Sequence, residues 1–526
     1  MDILSLSKKR KNIIFAGVLI TMLLSAMDTT IVGTIMPKIV ADIDGFSIYG
    51  WVFSIYMLSV VVSLSIFGKL TDLYGRKYFY LSGLVIFIIG SILCGFANTM
   101  ELLIVFRAIQ GIGGGLLTGI SPTITGDLFS PKERPKYQGF LGGIFGLATI
   151  IGPIVGGLLT DLSGWRLSFF INVPIGIVAI FLIYKFLPNF KTREAKKQID
   201  VLGCILFVIF ILLLLFSLNS AGSTLAWSDP GLLGLFALVI LILIVFTYVE
   251  RKSKEPILPI KLFSNSIFNI SAISGVVMGM IMYAATLFIP LFIEGIMGYS
   301  VIQTGLIMLP MTILLVLANI ISGIWVSRTG KYKNVLLISF LFMLLGVALL
   351  VVDCRLKSVE LIIVAMGFIG AGMGISFPTF MNVAQNAVPY EYLGVASSST
   401  QFFRNFGGII GVTLFSTLMN NSLWTELQNK LMSVTSQIIN VHKLIDMQLL
   451  LNDSRIGELD SAIKKMENAI PDNIIGDFIK FLKDGLNNSL MYVFIVLLIF
   501  CVVIFFMIAL FLKEIPLRKT NSVDED

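Results

Sequence analysis

Charge is what this chain has least of. Only 13% of its 526 residues are Asp, Glu, Lys or Arg, about half the share in a soluble domain, so a water-facing surface of ordinary size has too little to cover it. Histidine is nearly absent, and the single His442 stands in a polar stretch. That leaves no Ser/His/Asp relay and no histidine metal centre in the apolar part. Cys94, Cys204, Cys354 and Cys501 are scattered singly through apolar runs without C-x-x-C spacing. They read as packed thiols, and neither a disulfide framework nor a thiolate metal site is supported. No glycine-rich phosphate loop ending in Lys-Ser or Lys-Thr occurs, so ATP hydrolysis within the chain is not expected. The expectation is no enzyme, no metal and no cofactor.

What the chain has in excess is apolar length. Hydrophobic residues make up 56% and the mean hydropathy is +0.94, which no soluble core can hide. Fourteen apolar runs are long enough to cross a bilayer, at 12–36, 48–68, 78–97, 101–126, 137–160, 166–187, 201–219, 231–249, 267–293, 302–326, 334–352, 358–386, 393–419 and 489–512. The net charge of +7 is held in short clusters between these runs, so it reads as a topology signal and not as a nucleic-acid surface. Lys8, Lys9, Arg10 and Lys11 open the series, and Lys69, Arg76, Lys77, Lys132, Arg134 and Lys136 continue it on the same side. The short loops on the other side hold only Lys38, Arg166, Arg355 and Lys357. Both termini are therefore predicted to be cytoplasmic, with the chain multi-pass in the plasma membrane.

Within the first run, SAMDTTIVGTIMP (25–37) places the lone acid Asp28 in apolar surroundings. Such an acid costs about 2.5–3.5 kcal/mol on insertion scales, so it faces a cavity or partner and serves ions, protons or substrate. The competing reading is a cap on a kinked helix end, since Gly33 and Pro37 follow.

Pieces of the two halves repeat. GKLTDLYGRK from Gly68 is echoed by GIWVSRTGKY from Gly323, and Tyr137-x-Gly139 by Tyr392-x-Gly394, both at an offset of 255 (323 − 68; 392 − 137). Gly114 to Pro122-Thr123 is echoed by Gly370 to Pro378-Thr379 at 256 (370 − 114). Repeats of this kind mark transporters that rock one half against the other around a midplane site. The fold expected is all-α integral membrane, two six-helix halves at 1–187 and 263–526 with two extra helices in 188–262. A polar segment, 421–487, interrupts the second half. Its Leu427, Leu431, Val434, Ile438, Val441 and Ile445 recur at helical spacing, which predicts one or two amphipathic helices on the outer face.

Taken with its repeats, the chain resembles the major facilitator superfamily, and within it the fourteen-span drug:proton antiporters of the QacA/EmrB type. GKLTDLYGRK looks like the loop between spans two and three, which implies a conformational latch at Gly68, Asp72, Gly75 and Arg76. LLIVFRAIQGIGGG (102–115) is similar to the span-four motif and makes Arg107 an intramembrane cation able to meet Asp28. That pair is either a proton switch or a fixed ion pair. GLATIIGPIVGG matches the span-five antiporter motif, with Gly146, Gly152, Pro153, Gly156 and Gly157 allowing close helix approach or a kink. GWRLSFFINVPIG (164–176) and SSSTQFFRNFGGIIG (397–411) complete the resemblance, the latter adding Arg404 as a second intramembrane cation. Glu294 departs from relatives that commonly carry Gln there, and is either an exposed acid or a second carboxylate for proton coupling or cation binding.

The function implied is proton-coupled efflux of hydrophobic or cationic drugs by a bacterial monomer in its lipid bilayer. Asp28, Arg107 and Glu294 would couple protons; Asp28, Phe145, Glu294, Phe377, Phe403 and Arg404 would line the cavity. An exporter of an endogenous lipid, metabolite or peptide would use the same scaffold, and a sensor or scaffold would act through 421–487.

Overall fold

The computed structural model describes residues 6–44, 48, 50–188, 200–221, 228–253, 256, 260–389, 392–434 and 472–516. The linker residues KTREAKKQI before Asp200, and Ile438, Val441, Ile445 and His442, lie outside them. The first half consists of α1 (Lys8–Ile43), α2 (Gly50–Tyr74), α3 (Arg76–Gly95), α4 (Met100–Leu128), α5 (Arg134–Ser163), the short α6 (Leu167–Phe170) and α7 (Asn172–Phe186). Between the halves stand α8 (Val201–Ser220) and α9 (Pro230–Lys252). The second half holds α10 (Ser266–Leu291), a π turn (Phe292–Ile296), α11 (Val301–Thr329), α12 (Lys333–Leu356), α13 (Val359–Asn386), α14 (Leu393–Val434) and α15 (Asp472–Phe511). Thirteen helical stretches among the described residues are long and apolar enough to cross a membrane, and the shorter Leu202–Leu218 falls at the seventh expected span.

Local chemistry sets the helix ends. Ser7, Thr99 and Ser358 cap α1, α4 and α13 by accepting from the backbone N–H three residues on, and Ser300 with Gln303 forms a reciprocal capping box on α11. Gly75, at φ 97°, makes the turn between α2 and α3, a conformation open to glycine at no steric cost. Each half has its own apolar core, with Leu84, Phe87 and Leu117 in the first and Phe340, Met343 and Phe494 in the second. Outside those cores α9 turns Leu233, Ile240, Leu241 and Ile244 outward, the apolar girdle that lipid requires.

The inserted pair α8–α9 packs on itself and meets α2 and α14. Phe207 and Phe246 there join Val61 and Phe402 in one small apolar cluster. The two halves meet along the α5–α11, α2–α14, α5–α13 and α4–α14 pairs. We call the end of the bundle that holds Lys8, Arg76, Arg134 and Lys333 the basic end. Beyond the opposite end, α14 continues past the expected span to Val434, carrying the backbone of Leu427, Leu431 and Val434 as one uninterrupted helix.

Candidate functional site

Asp28 sits at mid-length of α1 and is only 1% exposed. Arg107, one helix away on α4, donates from Nη1 to its Oδ2 at 2.5 Å. Gln110 Nε2 and Asn172 Nδ2 both donate to its Oδ1, at 2.7 and 3.1 Å. Arg107 Nη1 also reaches Gln110 Oε1 at 2.8 Å, and its guanidinium lies over the Tyr56 ring at 4.0 Å. Asn172 gives a further bond to Ser91 Oγ, which itself donates to the Phe169 carbonyl. The carboxylate thus knots α1, α3, α4 and α7 together. A buried ion pair repays its desolvation only with such additional hydrogen bonds.

Gln110, Asn172, Tyr56 and Ser91 were not singled out in the sequence. Gln110 had a usable signal, because it follows Arg107 by three residues and so shares its helix face. Asn172 opens α7 at a break in the sixth span, inside the GWRLSFFINVPIG stretch. Tyr56 and Ser91 carry no pattern that distinguishes them from packing residues.

The residues expected to form a latch converge at the basic end. Asp72, 3% exposed, accepts from the backbone N–H groups of Gly394 and Val395, both at 3.2 Å. These are the first donors of α14, so the acid closes the N-terminus of a helix in the other half. Arg76 holds Asp72 at 3.0 Å and Asp127 at 2.5 Å. Gly68 lies directly beneath Ser398, where any side chain would collide with the hydroxyl. Gln385 Nε2 donates across the halves to the Pro122 carbonyl at 3.2 Å, and Gln401 donates to the Thr118 carbonyl.

Above this seal, between the halves, lies a cavity of about 300 Å³. Phe145, Phe377 and Arg404 line it, together with Ser25 and Thr29 from α1 and Tyr283 from α10. Asp28 does not: it stands behind Tyr56, whose hydroxyl faces Ser25 and Thr29. Phe403 points to the α8 side, edge-on to Phe402 at 5.3 Å and to Phe263 at 6.2 Å. Glu294 is half-buried in the π turn, eight residues and so about 12 Å of helix rise beyond the lining residue Thr286. The structure therefore brings Asp28 and Arg107 together and leaves Glu294 apart from both.

Of the span-five motif, Gly146 accommodates Leu315 and Val316 of α11, while Gly152 and Gly156 accommodate Thr30, Ile31 and Ile35 of α1. Nothing lies within 4 Å of the position a Gly157 side chain would take. Pro153 stands in α5, its ring outside the described side chains. The motif thus gives α5 two partners, one in each half. Thr30 adds a hydrogen bond to the Ala148 carbonyl at 3.2 Å.

The comparisons with known proteins agree with this architecture. The sequence model of the Major Facilitator Superfamily matches residues 18–412. Multidrug transporter protein MdtP of Bacillus subtilis is 36% identical, with 98% of this chain and 96% of that protein aligned. Multidrug resistance protein 3 of the same organism is 35% identical over 95% of this chain and 94% of its own length. Among solved structures, the proton:xylose symporter XylE superimposes with a TM-score of 0.60 at 13% identity, over 79% of this chain and 90% of that one. Family match, relatives and fold coincide, and the chain belongs to the major facilitator superfamily, as a multi-pass membrane transporter and not an enzyme.

Proposed function

We propose that this protein exports hydrophobic, drug-like molecules from the cell in exchange for protons. The observation that carries the coupling is the buried Asp28 carboxylate, with Arg107 on one oxygen and Gln110 and Asn172 on the other. Three donors fill three of its roughly four acceptor sites, so a proton takes the remaining site on the Arg107 side and cancels the charge that strengthens all three bonds. Protonation then loosens the tie between α1 and the helices α4 and α7. Because α1 also supplies Ser25 and Thr29 to the cavity, that change reaches the substrate space without any shared contact.

With the basic end cytoplasmic, as the Lys and Arg distribution predicts, the sealed latch belongs to a carrier facing outward. In that state Asp28 takes a proton and substrate leaves; facing inward, it gives the proton up and substrate enters. The direction, export, is supported by the span-five motif and by the multidrug transporter named among the relatives. A single proton crossing about 100 mV supplies about 2.3 kcal/mol, enough for roughly a fifty-fold gradient.

The test is a resistance and dye-efflux panel in cells, with and without a proton uncoupler, followed by Asp28→Asn in proteoliposomes. Efflux should stop with the uncoupler, and the variant should lose uphill transport while still exchanging substrate down its gradient. Efflux indifferent to the uncoupler contradicts proton coupling.

A further inference from the structure

The cavity carries one formal charge, and it is positive. Among the residues lining it, Arg404 is the charged one, and no Asp or Glu joins it. Asp28 stands behind Tyr56 and is spent on Arg107. Taking this cavity as the substrate site of the function proposed above, the geometry points to lipophilic anions, an apolar body bearing one carboxylate, as its favoured substrates.

The setting of Arg404 is that of a cation waiting for an acceptor. Its Nη2 donates to Gln401 Oε1 at 2.9 Å, and its guanidinium lies over the Phe377 ring at 4.8 Å. Its Nε is buried without a partner, and no carboxylate among the described residues forms an ion pair with it. Gln401 gives its amide N–H to the Thr118 carbonyl, which fixes its oxygen toward Arg404. An arginine that only braces helix ends behaves differently here. Arg134 aims its Nε at the carbonyls of Gly126 and Phe129, at 2.9 and 3.4 Å. Arg404 instead keeps donor capacity at the wall of a mostly apolar space that holds no other charge, where a planar carboxylate fits the guanidinium fork. A lipophilic cation in the same space meets like charge with no acid to offset it. The apolar body would lie against Phe145, Phe377, Met282 and Met381.

The same arrangement separates substrate from proton. Asp28 and the cavity share no contact, so anion and proton do not compete for one carboxylate, and coupling runs through the movement of α1.

The test uses dansyl-undecanoic acid, its uncharged methyl ester, and ethidium as a lipophilic cation, binding to the full-length protein in nanodiscs with empty nanodiscs subtracted. Equilibrium binding is independent of proton coupling, so it can fail while the transport reading stands, and the converse. The wild type should bind the acid about ten- to hundred-fold more tightly than the ester, the worth of one charge-assisted hydrogen bond, and ethidium most weakly. Arg404→Gln should bring the acid-to-ester ratio near one with ester binding retained, and Arg404→Lys should restore part of it. Wild-type protein that binds acid and ester alike, or prefers ethidium, overturns the inference, as does an unchanged ratio in Arg404→Gln. If Arg404→Gln binds nothing, the wild-type ratios decide alone.

Discussion

A carboxylate that accepts from three side chains is hard to replace by its own amide. In Asp28→Asn the carbonyl can still serve Gln110 and Asn172, but the new NH2 would then face Arg107 Nη1 across 2.5 Å, donor against donor. Breaking a buried pair this way costs about 3–5 kcal/mol, so Asp28→Asn should be less stable as well as uncoupled. Asn172→Ala removes one of three donors and leaves the ion pair whole. It should keep transport while shifting its pH profile, read as initial efflux rate against pH. A surface group gives a cleaner pH prediction. Asp42 accepts from Trp165 Nε1 at 3.0 Å and Arg166 Nη1 at 2.6 Å, and these bonds hold its carboxyl below the usual range. A lowered value stabilises the fold above the unfolded pKa, about 3.9, and that stabilisation is lost as pH falls through the folded one. The difference in melting temperature between wild type and Asp42→Asn should therefore be present at neutral pH, begin to shrink near about pH 4 and vanish only below the lowered pKa of the folded state. At this scale the sequence showed the charges and offered Arg107 as company for Asp28, but not the neutral groups around the pair. Asp28 and Arg107 stand out because ionisable residues in apolar runs are rare, whereas Gln110, Asn172 and Tyr56 are chemically ordinary and acquire meaning only through distance. Glu294 stood out for the same reason as Asp28, yet it lies at a span end where an acid is cheap.

Helices were legible because lipid demands them. Apolar length forces a span, and capping residues fix its ends within a few positions. Period alone could not show that α14 would run on through 434. Its 42 residues amount to about 63 Å of helix, roughly twice the hydrocarbon thickness, and the apolar repeat at Leu427, Leu431 and Val434 continues the same helix. The latch was legible as a motif, but its partner was not, since nothing in 68–77 points to Gly394. Asp72 gives two charge-assisted acceptances to α14, each worth about 1.5–3 kcal/mol. Asp72→Asn should weaken the seal and raise the population open at the basic end by at least about tenfold. A cysteine at Ser398, packed against Gly68 and only 2% exposed, reports it in a background without the four native cysteines. Its maleimide labelling should be slow in the otherwise unaltered protein and markedly faster with Asp72→Asn; equal rates would mean the latch does not hold this end shut.

Across the whole molecule, the internal repeat explains how the halves meet. Gly68 on α2 approaches Gly394 on α14, and Gly323 on α11 approaches Gly139 on α5. The two contacts are the same contact, since 323 − 68 and 394 − 139 both equal 255. They differ in charge: position 72 holds Asp and its equivalent, 72 + 255 = 327, holds Ser. One seam thus carries a carboxylate on the N-terminus of the facing helix, and the other has a neutral Ser327 at the equivalent position; if the halves rock, the two seams should not open alike. The inserted α8–α9 pair closes over the carboxylate-bearing seam through Phe207 and Phe402, whose rings lie 5.7 Å apart. Charge movement follows from the same geometry. Exchanging an anion for one proton moves two charges, about 4.6 kcal/mol per 100 mV, whereas a cation exchanged for one proton moves none. Efflux of dansyl-undecanoic acid from oriented proteoliposomes should therefore accelerate under a potassium–valinomycin potential, negative on the basic-end side, with no pH difference imposed.

If Asp28 carries the exchanged proton, the direct measurement is proton movement itself. Proteoliposomes with an entrapped pH dye are given a substrate gradient, and the internal pH is followed in wild type and Asp28→Asn. Substrate-dependent proton flux opposite to the substrate is expected in the wild type and none in the variant, with downhill substrate exchange preserved. Proton flux of wild-type size in Asp28→Asn would contradict it.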